Sequence, residues 1–396
     1  MATQRTIGFC CATLLIAGCA GAPPVKDETP AVIEAPTEPE PQAAPPVRQP
    51  APEDYVVSIA AVGDMMIGTD FPDNRLPDDD AIGFLAGVTP VLAAADITFG
   101  NIEGVLMDGG EPAKKCSNPK ACYLFRSPTR YAQRFADAGF DVVSFANNHA
   151  RDFGEEGRTS SMQAVANLGI RHSGRVGDVA SWRHGDLRIA MIAFAVTRNS
   201  NMMLDIVDAA TEVGALAADH DIVIVSFHGG AEGLGALHVP FEEETYYNEP
   251  RGDVVLFART MVDAGADLLL GHGPHVVRGI ERYKDRLIAY SLGNFATYYG
   301  ISVAGLKGIA PILTVRVDGD GTFLGGDIVS TVQRRPGGPV IDSERRALKK
   351  IRDLSLADFV DPGVEFSDDG AVNPTPRQFL RTHVEPPINP VIQSDD

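Results

Sequence analysis

The stretch Ala266-Asp267-Leu268-Leu269-Leu270-Gly271-His272-Gly273-Pro274-His275 joins a short apolar run to a polar, glycine-broken end. A Leu-rich run of this length is the kind of segment that a parallel sheet buries on both faces. The same pairing recurs upstream. Val62 is followed by Gly63-Asp64, Phe99 by Gly100-Asn101-Ile102-Glu103, Ala146 by Asn147-Asn148-His149, and Phe227 by His228-Gly229-Gly230. Ligands of open α/β sheets bind at the carboxyl ends of strands, which is where all these polar residues fall. Glycine at such ends lets the backbone turn sharply and approach closely.

Working outward, strands are expected at 55–62, 96–99, 141–146, 187–195, 221–227 and 266–270, with helices at 128–138, 155–168, 211–218 and 252–264. Alternation of this kind predicts an α/β domain around a central sheet. Further strands are expected at 287–292, 312–317 and 325–333. Residues 343–354 should form a charged surface helix, and the acidic, Pro-containing tail 361–396 should be loosely ordered.

Taken singly, each polar end has a structural explanation. Gly63-Asp64 suits a turn or helix cap, Glu103 a solvated loop, Asn147-Asn148 a left-handed turn, and His228 a hydrogen-bonded core position. Taken together they are chemically coherent. Two carboxylates, an Asn carbonyl and several imidazoles form a donor set for divalent metal ions. Of the nine His residues, four (149, 228, 272 and 275) follow strands directly. His172, His184, His220, His238 and His383 have no such context and are expected on the surface.

Composition narrows the function classes. The 396 residues are 44% hydrophobic and 22% charged, as in an ordinary soluble domain. Lys plus Arg total 34 against 53 Asp plus Glu, a formal net charge of −19. Such a surface disfavours nucleic-acid binding, which needs basic patches. At the N-terminus, Arg5 precedes an apolar run from Ile7 to Ala17, too short to span a bilayer. It ends in Ile16-Ala17-Gly18-Cys19, which resembles a bacterial lipobox; an ordinary secretory peptide with a chance Cys is the alternative. The lipobox reading implies a signal peptide over 1–19, lipidation of Cys19 and a cell-envelope location. In a Gram-negative cell that is the outer membrane's inner leaflet, on the periplasmic side. In a Gram-positive cell it is the outer face of the plasma membrane. Residues 20–53 are dominated by Pro, Ala and Glu and should be an extended tether. Cys116 and Cys122 would close a small disulfide loop outside the cytosol, or less simply contribute to a metal site.

Six ordered motifs carry a resemblance. They are Val62-Gly63-Asp64-Met65-Met66; Gly100-Asn101-Ile102-Glu103; Asn147-Asn148-His149 with Asp152 and Gly154; His228-Gly229-Gly230-Ala231-Glu232; Gly271-His272-Gly273-Pro274-His275-Val276; and Tyr290-Ser291-Leu292-Gly293-Asn294-Phe295. Over roughly residues 56–317 they resemble the CapA family, linked to poly-γ-glutamate capsule synthesis, within the calcineurin-like metallophosphoesterases. The resemblance implies a four-layer αββα sandwich over residues 54–335, followed by the C-terminal helix and tail. It implies two divalent ions (Mn, Mg, Fe or Zn), with Asp64 on the first and Glu103 bridging. Asn148, His228 and His272 would complete the second, and His275 would return to the first. His149 would be the general acid for the leaving group, with Asp152 either orienting it or capping the next helix. Paired cations about 3.5–4 Å apart polarise a substrate oxygen and acidify water.

Two positions depart from the superfamily pattern. Met66 stands where the usual Asp-x-His carries its imidazole, and Gly229 where the family carries Trp. The implied functions are a metal-dependent hydrolase or transferase acting on an anionic envelope polymer such as poly-γ-glutamate or an exopolysaccharide, a non-catalytic scaffold of the polymer synthase or export complex, or a phosphoesterase. Contact with the membrane would be through the lipid anchor only.

Overall fold

The computed structural model describes residues 55–114 and 123–376. The expected signal peptide, the lipobox Cys19, the tether and the Cys116–Cys122 pair lie outside the described residues, as do His383 and the end of the tail.

In chain order the main elements are β1 (Val56–Met66), β2 (Ile97–Ile102), α1 (Ala132–Asp137), β3 (Val142–Ser144), α2 (Gly154–Ala166) and β4 (Arg171–Ser173). They continue with β5 (Val179–His184), β6 (Leu187–Ala195), α3 (Ile206–Asp219), β7 (Ile222–His228), α4 (Val254–Ala264) and β8 (Leu268–His272). Then come β9 (Ile280–Tyr283), β10 (Arg286–Ala289), β11 (Asn294–Thr297), β12 (Ile309–Asp318) and β13 (Phe323–Gln333). The described chain closes with α5 (Arg346–Asp358), β14 (Val364–Phe366) and β15 (Ala371–Pro374).

The strands form two large sheets. One has the order β14-β15-β13-β12-β1-β2-β3-β4, with β11 pairing β1 beyond the end of β12. The other runs β9-β10-β8-β7-β6-β5. Strands β1 to β4 are mutually parallel, as are β6, β7, β8 and β10, so carboxyl ends gather along one edge of each sheet.

Side chains alternate across a strand, and the cores follow that alternation. Ile59, Ala61, Phe99, Val142 and Val315 of the first sheet share one buried cluster with Ile189, Met191, Ile224, Leu268 and Leu270 of the second. Their neighbours Ala60, Val62 and Val143 face outward onto Phe135 of α1 and Met162 and Val165 of α2. On the far side, Ile192, Val223, Val225 and Leu269 meet Val213 of α3 and Phe257, Ala258 and Met261 of α4. Helix, sheet, sheet and helix thus make the four layers of an αββα sandwich.

Three elements differ from the sequence expectation. The first strand does not stop at Val62 but runs on to Met66, because β2 and β11 pair with it on either side of Asp64. The helix expected to be a charged surface element buries Ala347, Leu348, Ile351 and Leu354, and two of these join the cluster between the sheets. The described part of the tail expected to be loose, residues 361–376, extends the first sheet, β15 pairing with β13 and β14 with β15. Backbone ladders need no apolar run, which is why so acidic a segment can join a sheet.

The starts of α3 and α4 carry short acidic caps, Asp205 and Asp253. Asp253 accepts from the backbone N–H groups of Val255 (3.0 Å) and Leu256 (2.8 Å), which the first turn of α4 would otherwise leave unpaired. Asp253→Ala is expected to lower the unfolding free energy by about 1 kcal/mol, read as a lower denaturant midpoint with an unchanged slope. An unmoved midpoint would show that the cap contributes nothing.

Candidate metal centre

Asp64 sits inside β1, placed by two constraints on the chain beside it. Its N–H donates to the Gly293 carbonyl at 2.8 Å. A Cβ on Gly63 would lie 1.9 Å from that same oxygen, so only glycine lets the two segments approach this closely. The Asp64 carboxylate is buried. Its Oδ1 accepts from Asn101 Nδ2 at 2.9 Å and lies 3.3 Å from His272 Nδ1; its Oδ2 lies 3.1 Å from His275 Nδ1.

Glu103, just past β2, is also buried. Its Oε1 is 3.7 Å from His228 Nε2 and 3.6 Å from His275 Nε2. Ligand atoms of Asp64, Glu103 and His228 lie within 4.8 Å of one another. Strand ends from both sheets therefore bring Asp64, Glu103, His228, His272 and His275 into one buried group.

The hydrogen-bond inventory of this group is short. Both carboxylate oxygens of Glu103, both ring nitrogens of His228 and of His272, and the amide oxygen of Asn148 are buried without a hydrogen-bond partner. Buried polar atoms are ordinarily satisfied, and buried charges are ordinarily paired or bound to metal. Oxygen and imidazole donors left vacant side by side are the chemistry of a transition-metal site, so the residues present fit divalent cations.

Electrostatics point the same way. Burial opposes a charged Asp64, but the His272 and His275 imidazoles beside it outweigh it and hold the carboxyl well below its usual range. Burial likewise opposes charge on Glu103, and the positive charge of His275 more than offsets it. For His275, burial is overcome by Glu103 and Asp64, which push the imidazole up to about 10. For His228, burial dominates and depresses the imidazole.

Amide side chains orient the group. Asn294 Oδ1 receives His275 Nδ1 at 2.9 Å, while its Nδ2 is fixed by the carbonyls of His275, Ser302 and Lys307. That leaves His275 Nε2 turned toward Glu103 and, at 3.9 Å, toward Glu232 Oε2. Partners of this kind set the tautomer of a ligating histidine. His275 itself has φ 58°, a left-handed conformation that follows Gly273 at φ 113°. Asn147, rather than Asn148, joins the network: its Nδ2 donates to Asn101 Oδ1 at 3.1 Å and its Oδ1 accepts from the His149 N–H at 3.0 Å.

His149 is buried, with its ring 4.3 Å from that of Phe125, and its Nδ1 lies 2.8 Å from Asp152 Oδ2. Asp152 also accepts from the Phe125 N–H at 2.8 Å and lies 3.3 Å from Lys114 Nζ. The following helix starts at Gly154, with Phe153 as its N-cap and no side-chain cap. Asp152 therefore orients His149 instead of capping α2.

The two departures from the superfamily pattern have physical explanations. Met66 is buried against Phe125 and Ile301 and offers no imidazole. A Cβ on Gly229 would come within 2.5 Å of Met203 Sδ and 2.9 Å of the Arg251 carbonyl, so Met203 fills the space a larger residue would need. Asn101, Glu232 and Asn294 appear in the sequence only as motif positions; their contacts with Asp64 and His275 depend on the fold.

Residues 58–299 match the family described as Bacterial capsule synthesis protein PGA_cap. The chain belongs to this family. Among curated relatives, the PGA biosynthesis protein CapA of Bacillus subtilis is 30% identical over 263 residues, covering 61% of this chain and 63% of that protein. The capsule biosynthesis protein CapA of Bacillus anthracis is 27% identical over 268 residues, covering 61% and 60%. The chain thus spans about three fifths of the length of these relatives. A solved structure, the calcineurin-like phosphoesterase YfkN from Bacillus subtilis, is similar with 11% identity and a TM-score of 0.34, covering 76% of this chain and 96% of that one.

Metal addition provides a direct check of the centre. A ligand present at 100 times its dissociation constant stabilises the folded state by about 2.7 kcal/mol. Adding Mn²⁺ or Zn²⁺ to chelator-treated protein should raise the melting temperature, and Glu103→Gln should lose most of that rise. An equal rise in both proteins would remove Glu103 from the centre.

Proposed function

We propose that this capsule-family chain acts at the bacterial cell envelope as a divalent-metal-dependent hydrolase or transferase on poly-γ-glutamate or an exopolysaccharide. One observation carries the reading: vacant carboxylate and imidazole atoms are buried together along the sheet edge that also carries a His149–Asp152 pair. The names of the Bacillus relatives support the polymer class. The lipobox at Cys19 and the tether over 20–53 support a lipid-anchored domain held clear of the membrane.

Asp64, Glu103, Asn148, His228, His272 and His275 would hold the cations, two in number by the superfamily pattern. When bound, these would supply Lewis acidity toward a substrate oxygen and lower the pKa of water. The chain's own residues do the rest. Asp152 accepts from His149 Nδ1, which leaves Nε2 as the atom that hands a proton to the leaving group. Lys114 Nζ lies 3.3 Å from the other oxygen of the same carboxylate. Asn294 and Asn101 keep His275 and Asp64 in place without moving a proton themselves.

A second reading, a non-catalytic scaffold of the polymer synthase or export complex, draws on Met66, which removes one imidazole from the first metal position. Phosphoester hydrolysis is a third reaction class open to such a centre. The full chain assayed with γ-glutamyl oligomers and model phosphoesters separates the three. His149→Ala should keep its metal content and lose about 10²–10⁴-fold in turnover, whereas Asp64→Ala should lose metal. Full metal loading with no turnover on any substrate would sink the enzyme reading and favour the scaffold.

A further inference from the structure

A cavity of about 270 Å³ opens at the same edge, lined by Lys114, Asn148, Arg151, Gly154, Thr197 and Arg198 among others. It lies between the loop after β3 in the first sheet and the loop after β6 in the second, where Thr197 Oγ1 donates to the Asn147 carbonyl at 3.3 Å. Three of its lining residues are cationic and none is acidic. That is unusual in a chain of net charge −19.

The positive charges are only partly neutralised. Lys114 shares Asp152 with His149. Arg151 lies 2.7 Å from Glu155, but Glu155 also serves Arg158 and Arg175. Arg198 is exposed and makes no ion pair or hydrogen bond among the described residues. Walls of one sign focus the local field and concentrate counter-ions, and guanidinium forks match planar oxyanions.

We propose that this cavity is a subsite for the carboxylates of an anionic polymer chain whose scissile linkage lies at the metal centre. The proposal rests on the functional reading above and names how the substrate is gripped. Asn148 lines the cavity and leads directly to His149, so a chain seated there would reach the proton donor. The three cations come from three separate segments around a space larger than one oxyanion needs. That arrangement suits carboxylates repeated along a chain better than a single phosphate. It also explains how so acidic a protein could hold a polyanion.

Binding to the full, chelator-treated chain tests the subsite apart from catalysis. The probes are a γ-linked glutamate trimer, the same trimer with its carboxylates converted to carboxamides, and inorganic phosphate. The trimer should bind, and its affinity should fall with salt. The carboxamide form should bind at least about tenfold more weakly. Arg198→Glu and Lys114→Gln should each weaken the trimer by about tenfold, with Arg198→Glu melting like the wild type. Arg198 is exposed, so its replacement leaves the core untouched. Absence of trimer binding, equal binding of the carboxamide form, unchanged affinity in Arg198→Glu, or tighter binding of phosphate than of trimer would each overturn the proposal. Metal titration of the same protein is read separately. Its failure would sink the metal-dependent reading and leave the subsite result standing.

Discussion

Burying two carboxylates beside three imidazoles, with few protein donors to meet them, is the constraint around which this molecule is organised. Charges in a low-dielectric interior must find partners, and polar atoms out of contact with water must find hydrogen bonds. Here Asp64 meets the Asn101 amide and the His275 imidazole, while Glu103, His228 and His272 keep unpartnered atoms. Such a group could not assemble from one flexible loop. It needs strands from two sheets, packed face to face, whose carboxyl ends stop at the same level.

The amides show how the arrangement is kept in register. Asn101 ties Asp64 to β2, Asn147 ties Asn101 to the loop after β3, and Asn294 ties His275 to the loop after β11. Each carries a donor and an acceptor on one short side chain, so each bridges two neighbours without adding charge to a crowded site. Glycine does complementary work at Gly63, where any side chain would push β1 away from the carbonyl that positions Asp64.

Much of this was legible in the sequence, and the limits have physical causes. Apolar runs ending in Gly, Asn or His located the strand ends and the donor set, because burial and ligand chemistry both leave local composition signals. The true end of β1 did not show, since Gly63-Asp64 reads as a turn until β11 is seen to pair with it from far along the chain. The contacts of Glu232 and Asn294 were hidden for the same reason: one lies in a loop and the other opens β11, and the partner of each is set by tertiary structure. Met66 was visible as a departure, but the Phe125 and Ile301 side chains that make it part of a small core were not. The order of β14 and β15 was missed because these short strands offer the core only Val364, Val372 and a partly buried Phe366.

Strand β1 has a neighbour on either side, and the two come from different parts of the chain. On one side lies β2, within the family-matched span; on the other lies β11 beside Asp64, also within it, and β12 beside residues 56–61, past the point where that match ends. The strand that carries Asp64 is therefore held by a segment that adds both a backbone ladder and the core side chains Leu313, Val315 and Val317. Hydrogen-bonded ladders accept many side-chain sequences so long as inward positions stay apolar. Detectable family likeness can fade at residue 299 while the architecture continues unbroken, and a fragment cut at that border would strip β1 of its pairing along residues 56–61.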